Sequence, residues 1–130
     1  MTNIRVMLVA VLAMFLLSAC GAPGTPGGLF QSASEKKLSD GVASYEEGDY
    51  KSSMAELESS LDMGLSNKRD KVLAHKYLAF IHCVAGREKQ CRDEFRKAFE
   101  VDPTFNLKPA EAGHPVWGPV FRSVKVKYTK

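Results

Sequence analysis

The sequence predicts an all-α protein made of two helical hairpins and a C-terminal capping helix, preceded by a signal peptide and a flexible linker. Three observations predict this fold. Apolar residues recur at helical intervals over residues 34–101, single glycines at Gly48, Gly64 and Gly86 interrupt the pattern, and the pattern repeats after 38 residues. One hairpin cannot bury its apolar face alone, so the two are expected to stack on each other.

The first twenty residues predict an export signal that ends in a lipid-attachment site. Arg5 precedes the apolar run VMLVAVLAMFLLSA, which is too short for a comfortable membrane span and stops at Cys20. The segment LSAC resembles a bacterial lipobox, which implies cleavage before Cys20 and acylation of that residue. The alternative is an ordinary secreted protein with a cysteine at its cleavage site. We assign residues 1–19 to the signal peptide and residues 20–33 to the lipidated cysteine and a linker.

The residue after this cysteine indicates the destination. In bacterial lipoproteins an aspartate there commonly signals retention in the inner membrane, whereas this chain has Gly21. The resemblance therefore implies a lipid anchor in the outer membrane, with the protein on the periplasmic face. Two or more acyl chains hold a protein stably. The following APGTPGG cannot sustain a helix or a strand and predicts a tether.

Length and charge limit what the remaining chain can be. Residues 20–130 suffice for one small domain, which we assign to residues 34–130, and are too few for two. The net charge of +3 is too mild to indicate nucleic-acid binding, and no basic stripe with interleaved aromatic residues supports it. The basic residues near the C-terminus could touch anionic surfaces, although a solvated tail is the simpler interpretation: Arg122, Lys125, Lys127 and Lys130.

The first hairpin is predicted from residue 34 to Gly64, with Gly48 at its turn. Each of its two helices has one apolar stripe: Leu38, Val42 and Tyr45 in the first, and Met54, Leu57 and Leu61 in the second. The polar stretch LSNKR joins the two hairpins, and Asn67 with Asp70 resembles a capping arrangement for the next helix.

The second hairpin contains the predicted central helix, residues 69–85, because apolar residues cover more than one of its faces. These residues are Val72, Leu73, Leu78, Phe80, Ile81 and Val84. Its partner helix is predicted to run to about Val101. Phe95, Ala98 and Phe99 are expected inward, and Arg92, Glu94, Arg96 and Lys97 outward.

The pattern changes beyond Pro103. Pro109 predicts a short helical turn ended by Gly113, and Pro115 or Pro119 opens a last helix. Trp117, Val120, Phe121 and Val124 share one face of that helix. Two stacked hairpins leave an apolar end, and this helix is the natural cap for it. The alternative is that Trp117 and Phe121 form a partner-binding hot spot.

The stretch from His75 to Pro103 resembles a tetratricopeptide repeat. Its key positions are held by His75, Leu78, Ala79, His82, Gly86, Cys91, Phe95 and Pro103. An earlier, diverged copy places Gly41 at the position of Ala79. The resemblance implies a module that presents surfaces and has no catalytic apparatus. We therefore expect no enzymatic activity, no cofactor, no metal and no small-molecule substrate.

Cys83 and Cys91 are the cysteines that remain once Cys20 is lipidated. An exported protein meets an oxidising compartment, so the pair predicts a disulfide across the Gly86 turn. Two small buried thiols are the alternative. A metal site that adds His82 is disfavoured, because the spacing matches no common zinc pattern.

No catalytic motif is recognisable, since neither a nucleophile elbow nor a phosphate-binding loop occurs. His75 and His82 occupy positions that the repeat fills with packing residues, which favours a core or groove role over catalysis. His114, between Gly113 and Pro115, is expected to bond a turn.

The segments YLAFIHCVAGREKQCRDEFRKAFEVDP and EAGHPVWGPVFRSVK resemble the TssQ-like lipoproteins associated with type VI secretion systems. This resemblance covers residues 34–125. It implies a small periplasmic accessory whose partners are protein components of a secretion or envelope machine. The concave face of the first helices would bind a partner peptide or helix, and the candidate groove residues are Gly41, Tyr45, His75, Ala79 and His82. The alternative is a pilotin-like lipoprotein that assists assembly of an outer-membrane pore or pilus machine.

Overall fold

The computed structural model describes residues 31–129, which form six α-helices and no strand. The helices are α1 (Ala33–Glu46), α2 (Tyr50–Asp62), α3 (Lys68–Val84), α4 (Glu88–Val101), α5 (Pro109–Ala112) and α6 (Gly118–Lys125). The prediction of an all-α fold is confirmed. The predicted signal peptide, Cys20 and the linker up to residue 30 lie outside the described residues.

Short polar side chains begin the first three helices. Ser32 Oγ accepts the Glu35 N–H at 3.2 Å while Glu35 Oε2 accepts the Ser32 N–H at 2.8 Å, which is a capping box at α1. Asp49 caps α2 through the Ser52 N–H at 3.0 Å. Asn67 Oδ1 accepts the Arg69 N–H at 2.8 Å, so the predicted cap of α3 is confirmed.

Glycine turns reverse the chain within each hairpin. Gly48 and Gly86 have φ angles of 82° and 72°, a left-handed conformation that glycine adopts without steric cost. Short connections join α1 to α2, α2 to α3 and α3 to α4, and the two helices of each pair contact one another and run antiparallel. The starts of α1 and α3 therefore lie at one end, called here the entry end because the chain enters there at Gln31. Gly48 and Gly86 mark the opposite end, called here the turn end.

The core has two parts that share α3. One part joins the first hairpin to α3 and consists of Leu38, Leu57, Leu65, Ala74, Leu78 and Ile81. The other is rich in aromatic residues and joins α3 and α4 to the C-terminal segment through Phe80, Phe95, Phe99, Phe105, Trp117 and Phe121. The predicted central position of α3 is thus confirmed. Val84 differs from the prediction, because it lies at the last residue of α3 and is 40% exposed.

The C-terminal segment covers the second hairpin, as predicted. The Phe121 ring of α6 lies 5.3 Å from that of Phe95 and 5.5 Å from that of Phe99. Trp117, just before α6, stacks on Phe80 at 4.2 Å. His114 Nδ1 accepts the Val116 N–H at 3.2 Å, which confirms the expected bond to a turn.

A disulfide joins Cys83 at the end of α3 to Cys91 near the start of α4. Both residues are buried. The bond spans the Gly86 turn, as the preferred prediction had it, and the alternative of two separate core thiols does not apply to this structure.

Candidate interaction surfaces

Two of the five predicted groove residues pack helices together and do not line a groove. A Cβ at Gly41 would lie 2.8 Å from Leu57 Cγ, so glycine is what lets α1 approach α2 this closely. Ala79 is completely buried against α4 and the C-terminal segment. Small residues at these positions set the distance between helices and leave nothing for a partner to contact.

Tyr45 belongs to a cluster of aromatic rings contributed by α1, the start of α2 and α3. Its ring lies 4.8 Å from that of Tyr77, 6.3 Å from that of Phe80 and 5.4 Å from that of Tyr50. Burial raises the pKa of Tyr45 to about 12, and burial also raises the pKa of Tyr77. Both phenols therefore stay neutral at physiological pH and act as half-buried packing residues.

His75 and His82 face away from Tyr77. Because successive residues of a helix are about 100° apart, residues two apart, such as His75 and Tyr77, lie on nearly opposite faces of α3. His75 Nδ1 is 2.7 Å from Glu94 Oε2 on α4, and His82 Nδ1 accepts the Arg87 Nε–H at 2.9 Å. Burial lowers the pKa of His82, and the Arg87 charge adds to the effect. The predicted groove residues thus do not form one surface.

The prediction that Glu94 faces outward is wrong, because its side chain is buried and the residue is only 8% exposed. Lys97 Nζ donates to its Oε1 at 2.6 Å, and His75 holds its Oε2. Burial alone would raise the pKa of this carboxyl group, but the bonds from His75 and Lys97 outweigh it and the pKa is lowered. Periodicity within α4 could not indicate this burial, because the decisive partner lies on α3.

The Glu94→Gln variant should be less stable at neutral pH by about 1–2 kcal/mol, since hydrogen bonds to a charged group are lost. A carboxyl group whose folded-state pKa is lowered stabilises the fold above its unfolded-state pKa, and this stability is lost as the pH falls through the folded-state pKa. Urea unfolding from neutral to acidic pH should therefore show a smaller acid-induced loss in the variant than in the wild type. Glu88→Gln is the control, because the Glu88–Arg92 pair is exposed and should contribute little. Equal pH dependence of Glu94→Gln and wild type would contradict the prediction.

An apolar cleft of 410 Å³ opens at the turn end, between α2 and the end of α3. It is lined by Tyr50, Lys51, Met54, Ile81, Val84, Ala85 and Arg87, and is called here the turn-end cleft. Tyr50 is 42% exposed and Val84 is 40% exposed. Helical periodicity alone does not indicate this surface. The sequence feature that could have indicated this cleft is the presence of large apolar residues next to the glycine turns. At a helix end fewer neighbouring helices are present to cover such residues.

A second cleft, of 630 Å³, lies between the first half of α3 and residues 102–111, and is called here the entry-end cleft. Its lining is Asn67, Lys68, Arg69, Val72, Leu73, Lys76, Asp102, Thr104, Phe105, Asn106, Lys108 and Glu111. Val72, Leu73 and Phe105 contribute its apolar part, and Lys68, Arg69 and Lys108 are exposed.

Both acids of the entry-end cleft are already bonded. Glu111 accepts hydrogen bonds from Lys76 Nζ at 2.6 Å and from the Lys108 N–H at 2.9 Å. Burial alone would raise the pKa of Glu111, but these two bonds outweigh it and the pKa is lowered. Asp102 Oδ1 accepts the Thr104 hydroxyl at 2.6 Å and its N–H at 2.9 Å, which lowers the pKa of Asp102. Among residues 31–129 no ion pair engages Lys68, Arg69 or Lys108. The cleft therefore has a surplus of positive charge.

The described part of the chain has neither a cluster of metal ligands nor a helix that could span a membrane. No group of three or more His, Cys, Asp or Glu residues within it could hold a metal ion. None of the helices that it forms is both long and apolar enough to cross a membrane.

Comparison with known protein families, curated proteins and solved structures gives no match for this chain. The resemblances to tetratricopeptide repeats and to TssQ-like lipoproteins therefore stay predictions.

Proposed function

We propose that the chain is a lipoprotein anchored in the outer membrane and facing the periplasm, where it is a protein-interaction accessory of a type VI secretion system. The LSAC segment at Cys20 supports the anchor, and the TssQ-like segments support the machine. The observation that carries the interaction role is the turn-end cleft. Its lining is mainly apolar and is open to solvent, which suits the binding of another protein.

The composition of the turn-end cleft suits a protein partner. Tyrosine, methionine and arginine are enriched where proteins bind one another, and this cleft has one of each at Tyr50, Met54 and Arg87. Arg87 Nη2 lies 3.8 Å from Met54 Sδ, which links the two walls. Removing exposed apolar side chains from water stabilises the complex with a partner. The fitting occupant is an amphipathic helix whose apolar residues enter the cleft and whose acidic residues meet Lys51 and Arg87.

The position of the cleft is also suitable. The chain enters the domain at Gln31, and the turn end is the opposite end of the hairpins. A tether that begins at a lipidated Cys20 would therefore leave this end accessible to other periplasmic proteins.

Site-specific photo-crosslinking in native membranes tests the proposal. A benzophenone amino acid at Tyr50 should form an adduct with a component of the secretion machine, identified by mass spectrometry. The same group at exposed Lys36, at the entry end, should not. Val84→Asp should abolish the adduct and lower stability by no more than about 1 kcal/mol, because the new charge lies at the C-terminal end of α3. Val126→Asp, also at an exposed valine, should retain the adduct.

Two outcomes would contradict the role of the turn-end cleft. One is an adduct of equal yield from Lys36. The other is an adduct that survives Val84→Asp. An adduct with an outer-membrane pore subunit or a pilus component would instead support the pilotin-like alternative.

A further inference from the structure

We propose that the entry-end cleft binds the phosphate headgroups of anionic phospholipids in the bilayer that holds the chain. This inference rests on the proposed lipid anchor and deepens it. It gives the domain a second membrane contact, and it assigns a ligand class to a cleft that the interaction role does not use.

Charge is the first argument. Lys68 and Arg69 in the first turn of α3 and Lys108 before α5 supply three exposed cations at the cleft. Glu111 is paired with Lys76, whereas Asp102 is bonded by neutral Thr104 groups and keeps its negative charge, so the three exposed cations are offset by one and a net charge of about +2 is left. Each lysine or arginine near an anionic bilayer strengthens attraction about fivefold.

Neighbouring charges extend the same pattern. Lys125 Nζ bonds Asn106 Oδ1 at 3.1 Å, and Asn106 lines the cleft, so a fourth cation stands at its edge. Asp70 follows Arg69 by one residue, projects about 100° further round α3 and does not line the cleft. The acidic residue nearest in sequence therefore lies outside the cleft, beside the cationic rim.

The path of the chain is the second argument. Only ten residues lie between Cys20 and Gln31, and a chain of that length spans at most about 40 Å. If Cys20 is acylated, the point where the chain enters the domain stays within about 40 Å of the bilayer surface. The start of α3 lies at that same end of the domain, so Lys68 and Arg69 can reach anionic headgroups within the length of the tether.

The shape of the cleft is the third argument. Its volume of 630 Å³ is within the range of about 300–1,000 Å³ that is typical for small-ligand sites. Val72, Leu73 and Phe105 offer an apolar surface beside the cationic rim. A phospholipid headgroup matches this arrangement, because its phosphate is anionic and the glycerol and first methylenes beyond it are increasingly apolar.

Hydrogen–deuterium exchange of the full-length acylated protein in lipid nanodiscs tests the inference. Discs of phosphatidylcholine alone are compared with discs that also contain phosphatidylglycerol. Amides of residues 68–76 and 104–108 should exchange more slowly in the phosphatidylglycerol discs, and the protection should weaken as salt is added. The doubly charge-reversed variant K68E/R69E should lose it, since removing two attractive charges alone weakens binding about 25-fold.

A matched variant controls for net charge. K51E/K89E reverses two exposed cations at the turn end and should keep the protection of the entry-end cleft. Protection that survives K68E/R69E, or that K51E/K89E removes equally, would overturn the inference.

Other occupants are distinguished by added probes. If inorganic phosphate or an acidic peptide of alternating Glu and Leu protects the same segments in phosphatidylcholine discs, and phosphatidylglycerol does not, the cleft is a free-anion or peptide site and the lipid assignment is wrong. Mass spectrometry of Cys20 in the same preparation separates the two proposals. An unmodified Cys20 would contradict the anchor, whereas an acylated Cys20 without protection of the cleft would contradict this inference alone.

Discussion

Replacing Trp117 by alanine should lower the free energy of unfolding by about 3–5 kcal/mol, the usual effect of removing a buried tryptophan ring. Trp117 is 8% exposed and stacks on Phe80 at 4.2 Å. Its Nε1–H donates to the Glu111 carbonyl oxygen at 2.8 Å, so the ring fixes both α5 and the start of α6 against α3. Urea unfolding of the full-length protein, followed by the helical circular dichroism signal, measures the loss.

Two further variants show whether the loss of stability comes from the buried ring. Trp117→Phe keeps an aromatic ring over Phe80 and removes the indole bond, so its loss should be smaller. Val116→Ala changes the exposed neighbour and should leave stability nearly unchanged. If Trp117→Ala is as stable as the wild type and has lost a partner, the residue is a binding hot spot and not a cap.

The double variant C83A/C91A should lose about 2.5 kcal/mol of stability by the chain-entropy account of disulfides. The two cysteines are separated by 8 residues, and a loop this short restricts the unfolded chain less than a long one would. The loss should therefore be clear but smaller than that of Trp117→Ala. Urea unfolding under non-reducing conditions provides the measurement.

The disulfide prediction has an independent check in the wild-type protein. Reduction with dithiothreitol should bring the wild type close to the stability of C83A/C91A and have no effect on the variant. Alkylation of the exported, unreduced protein should modify neither Cys83 nor Cys91. Two freely alkylated thiols in the folded protein would contradict the bond.

The sequence predicts the helices well because their ends depend on local chemistry. Asn67 satisfies an N–H group of α3 within two residues, and Gly48 and Gly86 provide backbone conformations that other residues avoid. Periodicity also places Phe95 and Phe99 inward, since a helix with one apolar stripe has a single way to bury it.

The surfaces were harder to predict because they depend on residues far apart in the chain. Glu94 looks like a solvent-facing charge on α4 until His75, 19 residues earlier, is placed beside it. Gly41 and Ala79 have the small size of groove or packing residues alike, and only the contact with Leu57 and the burial of Ala79 decide between these roles. The entry-end cleft arises where α3 meets residues 102–111, which no periodic pattern describes.

The stacking of Trp117 gives the molecule a built-in optical reporter. The sequence contains a single tryptophan, and its indole is enclosed between Phe80 and His114. Tryptophan fluorescence therefore comes from one place, the junction between the C-terminal segment and the second hairpin. A red shift of the emission would signal that this junction has opened to water even while the helical content is unchanged.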